Sequence, residues 1–166
     1  MQGCFIFILN YNLMVPERFN IRVYGILMDD KNNILVSDEY VRGNYFTKFP
    51  GGGLELGEGT RDCLKREFKE ETGLEVEIGE HIYTTDFYQP SAFRSADQII
   101  SIYYAVSCKD LTGLKTSDMP FDLSMEITSN PAAAGESFRW VAIKDFSVET
   151  VHLPIDKIVA EILCES

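Results

Sequence analysis

The sequence predicts an α/β fold in which a mixed sheet lies between helices, and three stretches carry that expectation. Ile21 to Met28 is apolar on both of its alternating faces, while Thr60 to about Thr72 and the segment opening at Pro154 each carry an apolar stripe at helical spacing. A strand apolar on both sides belongs inside a sheet covered from above and below. Helices with one apolar stripe supply that cover. The chain has 166 residues, 45% of them hydrophobic, which is the size and apolar content of one domain with an ordinary core. It divides into an N-terminal extension, residues 1–20, and a single domain, residues 21–166.

The elements follow in order. The opening residues are apolar at their centre but lack a basic n-region and a small-residue cleavage site, and the run is too short to span a bilayer. Met14 is an alternative start. In the first strand Ile21, Val23 and Leu27 point one way and Tyr24, Ile26 and Met28 the other. Asp29 to Asn33 is turn chemistry, and Ile34-Leu35-Val36 returns as the hairpin partner. Tyr45 to Phe49 is a short extended segment that delivers the chain to Gly51-Gly52-Gly53.

Thr60 is the expected N-cap of the next helix, Leu64 and Phe68 its core-facing stripe, and Gly73 its left-handed stop. Leu74 to about Tyr88 alternates as a strand with an irregularity at Gly79, and Ile99 to Val106 is another, rich in β-formers. Lys109 to Ala134 is mixed, with turns at Pro120 and Asn130-Pro131. Phe138 to Val141 is a strand. From Pro154, Ile155, Ile158, Val159 and Ile162 keep one-face spacing, so this helix packs on the sheet.

The chemistry concentrates at the end of the first helix. Glu67 faces both Glu70 and Glu71, three and four residues on, beside the helix terminus that already carries about −0.5 of a charge. Helix stability alone would place lysines there. Arg66, Lys65 and Lys69 supply part of the missing positive charge, and an all-oxygen site suits magnesium, manganese or calcium for the rest. The competing reading is a solvated acidic face. The glycines in front allow backbone to approach a metal or a phosphate. They form no Walker loop, because no Gly-Lys-Ser/Thr follows, and no dinucleotide fingerprint, because the helix they open is acidic.

Written as a spacing, Gly52, Glu58, Arg66-Glu67, Phe68, Glu70-Glu71, Gly73 and Leu74 match every fixed position of the Nudix box. The chain therefore resembles the MutT-like Nudix hydrolases. That resemblance implies an α/β/α sandwich and hydrolysis of a diphosphate linked to another moiety, usually a nucleoside, with Mg²⁺ or Mn²⁺. It implies Glu70 and Glu71 as metal ligands, with the Gly51 carbonyl beside them, and Glu67 as either ligand or general base. Arg66 is read as an orienting partner of the box carboxylates, and Glu58 as its partner or a water-mediated metal contact. Glu136 resembles the acidic residue found ahead of the Trp-containing strand in this family, with Glu126 as the competitor. A ligand-sensing module without hydrolysis is the rival reading.

Between the two middle strands, Tyr88 to Asp97 is a loop with aromatics and Arg94, side chains that suit bases and phosphate. Arg94 and Arg42 are taken as substrate contacts; Arg42 and Arg22 rank below Arg94. The net charge of −11 argues against a nucleic-acid polymer as partner, but not against a small polyphosphate bridged by cations. Four scattered cysteines and two histidines make a zinc site improbable; free buried thiols in a reducing cytoplasm are the plain reading. No membrane partner is expected, and a homodimer stays open.

Overall fold

The computed structural model describes residues 15–130 and 132–165, apart from the side chains of Met125 and Glu126. Met14, Cys4 and the competing carboxylate of Glu126 therefore lie outside the described residues. Seven strands are described: β1 (Arg18–Leu27), β2 (Asn33–Val41), β3 (Asn44–Lys48), β4 (Gly51–Gly53), β5 (Val76–Thr84), β6 (Asp97–Cys108) and β7 (Ala134–Ala142). Three α-helices accompany them: α1 (Thr60–Thr72), α2 (Met125–Thr128) and α3 (Pro154–Glu165).

A mixed four-stranded sheet runs β4-β1-β6-β5, with β1 parallel to β6 and antiparallel to β4. An antiparallel sheet runs β3-β2-β7. The two apolar faces of β1 sort as their alternation requires. Val23 and Leu27 pack with Leu64 and Phe68 of α1, and Tyr24 and Ile26 pack with Ile155 and Val159 of α3. The mixed sheet is thus held between helices.

Several local expectations are corrected. Strand β1 begins at Arg18 rather than Ile21, because Arg18 and Asn20 both bind Asp97 at the start of β6. Thr60 is the first residue of α1 and not its N-cap; Gly59 takes that place with extended backbone and no side-chain cap. The Thr60 hydroxyl lies 2.8 Å from the Tyr104 hydroxyl and ties the helix start to β6. Gly73 does end the helix, with φ 75° and its amide bound to the Lys69 carbonyl. The β5–β6 register slips between Ile78 and His81, at the irregularity expected near Gly79. Glu136 stands inside β7, directly opposite Glu39 of β2, rather than ahead of the strand. Of the described thiols only Cys63 is buried, while Cys164 is exposed.

The first turn of α3 buries a carboxyl group. Asp156 is 0% exposed; its Oδ1 accepts from the Tyr103 hydroxyl at 2.5 Å and its Oδ2 has no hydrogen-bond partner. Burial pushes its pKa up from 3.8 to about 7, against the opposing pull of the Tyr103 hydroxyl and Lys48. Between those values the folded protein holds a proton that the unfolded chain has released, so the contribution is full at low pH and lost as pH rises through about 7. Asp156→Asn removes this dependence. The stability of the parent relative to Asp156→Asn should therefore fall by about 1.4 kcal/mol per pH unit between about pH 4 and 7. Urea unfolding across that range checks it, and a flat difference would refute the burial of a protonated carboxyl.

Candidate active site

The site begins where β4 pairs with β1, which sets Gly51 beside Tyr24 and Gly52 beside Val23. Gly51 has φ 132°, and a Cβ there would lie 2.2 Å from the Val23 carbonyl oxygen. A Cβ on Gly52 would lie 2.4 Å from the carboxyl carbon of Glu67. The loop is therefore glycine for two different reasons, one of backbone and one of site. The Gly51 amide reaches toward Glu71 Oε2 at 3.4 Å.

Arg66 organises the box carboxylates. Its Nη2 and Nε donate to the two oxygens of Glu58 at 2.6 and 3.1 Å, and Nη1 donates to Glu67 Oε1 at 2.7 Å. It also reaches Glu70 Oε2 at 3.4 Å and the Gly53 carbonyl at 3.0 Å. This bidentate grip, with the Glu55 amide behind it, holds the Glu58 carboxyl down at about 2. Its donors face these oxygens, and Nη2 also lies 3.6 Å from Cys63 Sγ, so Arg66 ties the box carboxylates to the glycine loop.

The three glutamates differ in surroundings. Glu70 is largely exposed, at 62% of its side chain, whereas Glu67 is covered to 13%. Glu71 faces inward, and burial pushes its pKa up to about 7, with the nearby carboxylates of Glu136 and Glu67 adding to the shift. Burial likewise raises Glu136, which accepts a hydrogen bond from the Ser37 hydroxyl. Strand β7 thus brings Glu136 to the same acidic cluster as α1.

Lys48 and Glu39 complete the cluster, and neither stands out in the sequence. The Lys48 side chain is only 3% exposed, and its Nζ donates to Glu39 Oε1 and to the Gly51 carbonyl, both at 2.8 Å. Burial alone would lower its pKa, but Glu39 and Glu71 outweigh burial and hold the ammonium charged. The Gly51 carbonyl expected to face a metal is thus engaged by a lysine. No signal in one sequence separates Lys48 from any other strand lysine, because only the β2–β3 and β2–β7 pairings bring it under these acids.

The oxygens fit a hard divalent cation by their chemistry: the Gly51 carbonyl and the carboxylates of Glu67, Glu70, Glu71 and Glu136. Two of these carboxylates are raised by burial, and the missing Cβ of Gly52 leaves room for Glu67. As placed, no three acidic, histidine or cysteine side chains among the described residues close a cage unaided. Arg66 and Lys48 instead draw Glu67, Glu70 and Glu39 to themselves.

Beside the cluster opens a cavity of about 720 Å³, bounded by Arg22, Glu39 and Lys48 on the glycine-loop side. Its other wall is the Gln89–Arg94 loop, and Arg42 and Arg94 both line it. The Phe46 and Phe93 rings meet there at 5.3 Å. Arg94 is 65% exposed and stands 4.0 Å from Asp97. Arg42 is held at φ 52° in the turn after β2.

A glycine loop laid against a central strand and an Arg-bound row of helix glutamates meet on a mixed sheet held between helices. A sequence model of the NUDIX domain matches residues 18–162, and the chain belongs to the Nudix family. It is similar in structure to the MutT protein from Methanosarcina mazei Go1, with TM-score 0.62 and 17% identity over 92% of this chain and 96% of that one. It is similar also to the mutator MutT protein from Bacillus halodurans, with TM-score 0.61 and 20% identity over 89% and 83%. A UDP-X diphosphatase gives TM-score 0.54 and 18% identity over 88% of this chain and 61% of that one. No curated protein matched the sequence. No helix among the described residues is long and apolar enough to cross a membrane.

Proposed function

We propose that the protein hydrolyses the diphosphate linkage of a nucleoside diphosphate derivative with Mg²⁺ or Mn²⁺. The observation that carries this reading is the oxygen cluster of Gly51, Glu67, Glu71 and Glu136, joined through Lys48 and Glu39 to a cavity of about 720 Å³ with an aromatic pair on its wall. The cation would be held by that cluster together with Glu70. Once bound it offsets the charge of the diphosphate and lowers the pKa of water. Arg66 keeps Glu67 in place, and Glu67 either shares in holding the cation or takes the proton of the attacking water. The cavity takes the organic moiety, with Arg94 and Arg42 at its rim. That one structural relative is a UDP-X diphosphatase supports a nucleotide derivative as the substrate. The cytoplasm suits such a substrate, and the site as described is formed within one chain.

A panel of nucleoside triphosphates, dinucleoside polyphosphates and nucleotide sugars, assayed for monophosphate release with and without Mg²⁺, tests this. Metal-dependent release from at least one class is expected; tight binding without release would favour a sensor. Metal should also stabilise the fold, because it relieves the buried carboxylates. One site at a hundredfold excess over its Kd contributes about 2.7 kcal/mol, read as a rise in melting temperature on adding Mn²⁺. An unchanged melting temperature at millimolar metal would refute a preformed site.

A further inference from the structure

Among the described residues the covered cations of this acidic protein are matched to carboxylates, with one exception. Lys48 holds Glu39, Arg66 holds Glu58 and Glu67, and Arg139 holds the fully buried Asp38. Arg22 is half-buried and lines the cavity. Among the described residues its single hydrogen bond runs from Nε to the Tyr24 hydroxyl, at 2.5 Å. The carboxylates of Glu39 and Glu67 act on it through space without reaching ion-pair distance. A guanidinium carries five N–H donors, so the four on Nη1 and Nη2 are without partners.

Its placement is specific. Arg22 pairs with Gly53 across β1 and β4, and Nη1 lies 4.0 Å from where a Gly53 Cβ would stand. The guanidinium also sits over the Tyr24 ring, 5.6 Å from its centroid. One edge is fixed by Tyr24, and the other faces the space between the glycine loop and the cavity. These nitrogens are open to the cavity and not sealed in the core, and a tetrahedral anion offering two oxygens is the partner a guanidinium fork matches. Arg42 and Arg94 sit at the rim, beyond the glycine loop.

Resting on the hydrolase reading above, we propose that Arg22 grips the phosphoryl group on the cavity side of the diphosphate, with Nη1 and Nη2 each donating to one of its oxygens. That phosphoryl group is the one bonded to the organic moiety, since the cavity begins at Arg22. The residue contributes binding and orientation, and no bond to it is made or broken.

The test is calorimetric titration with inorganic pyrophosphate and Mg²⁺, which requires no turnover. Parent protein, Arg22→Met, Arg22→Lys and the exposed-charge control Lys115→Met are compared, each with its melting temperature. Arg22→Met is expected to weaken binding by about 10- to 100-fold, the usual worth of charge-assisted hydrogen bonds. Arg22→Lys should recover only part of the loss, because a point charge lacks the fork. Lys115→Met should stay within about twofold of the parent, as expected for a screened surface charge. If Arg22→Met binds as Lys115→Met does, or Arg22→Lys recovers fully, the inference is overturned while the hydrolase reading stands. If the parent itself binds no pyrophosphate, the hydrolase reading falls and this inference with it.

Discussion

Gly52→Ala is expected to give a folded protein that has lost about 100-fold in turnover, whereas Gly51→Ala is expected to lose about 2–6 kcal/mol of stability. The two glycines are adjacent and the substitutions identical, so the contrast isolates surroundings. At Gly52 the added methyl meets only the far end of the Glu67 side chain, at 2.4 to 2.5 Å. That end is flexible and moves aside, which costs little stability but displaces the carboxylate that Arg66 holds. A shift of about 1 Å at a reacting group is enough for a loss on the order of 100-fold. At Gly51 the methyl meets backbone, with the Val23 carbonyl oxygen at 2.2 Å and Tyr24 Cα at 2.9 Å, and φ is 132°. Strained φ and overpacking each cost about 1–3 kcal/mol, and neither can relax without separating β4 from β1. Urea unfolding and initial rates for the two variants check this. Equal losses of stability in both would show that the loop is only a turn.

Glu67→Gln, Glu70→Gln and Glu71→Gln are expected to lower turnover steeply; without added metal the melting temperature should stay unchanged or rise for Glu70→Gln and Glu71→Gln, and fall slightly for Glu67→Gln, which gives up its ion pair with Arg66. Each keeps the size and a hydrogen-bonding oxygen of the side chain and removes one negative charge. On an idle acidic face that change would only relieve repulsion. Glu71→Gln should raise the melting temperature most, because burial and the facing carboxylates already push this group up to about 7. Its folded pKa lies above the unfolded 4.5, so the cost of its charge is absent at low pH and grows as pH rises through 7. The gain from Glu71→Gln should therefore be larger at pH 8 than at pH 5. Glu70→Gln, exposed at 62%, should leave stability unchanged. If Glu67 is the general base, its loss lies on the order of 10²–10⁴-fold with metal binding largely retained. Rates at saturating Mn²⁺ and melting curves for all three decide the matter. Near-parental rates throughout would overturn the assignment of the site.

The helix at the centre was legible because its signals are local. Apolar spacing, the Gly73 stop and the run of glutamates all lie within a few turns of chain, and α1 ends where Gly73 requires. Lys48 and Glu39 were illegible as a site for the opposite reason, and Arg22 stood only as a substrate contact ranked below Arg94. Each is an ordinary strand residue until β2 pairs with β3 and β7, and β4 with β1. Glu136 came from the family resemblance, and only the β2–β7 register sets it opposite Glu39. Thr60 shows how a tertiary contact overrides a local preference. Its hydroxyl, the natural cap, is turned to Tyr104, and Gly59 caps with backbone alone.

By itself the sequence determined the mixed α/β order, the glycine loop, the row of glutamates and the arginine that serves them, because each rests on periodicity or fixed spacing along one short segment. Which cations neutralise that row, and which are left without a carboxylate partner among the described residues, was decided by the tertiary structure. Charge pairing depends on distance through space, and strands far apart in the chain bring Glu39 to Lys48, Glu136 to Glu71, and Arg22 to the edge of the cavity with four of its donors unclaimed.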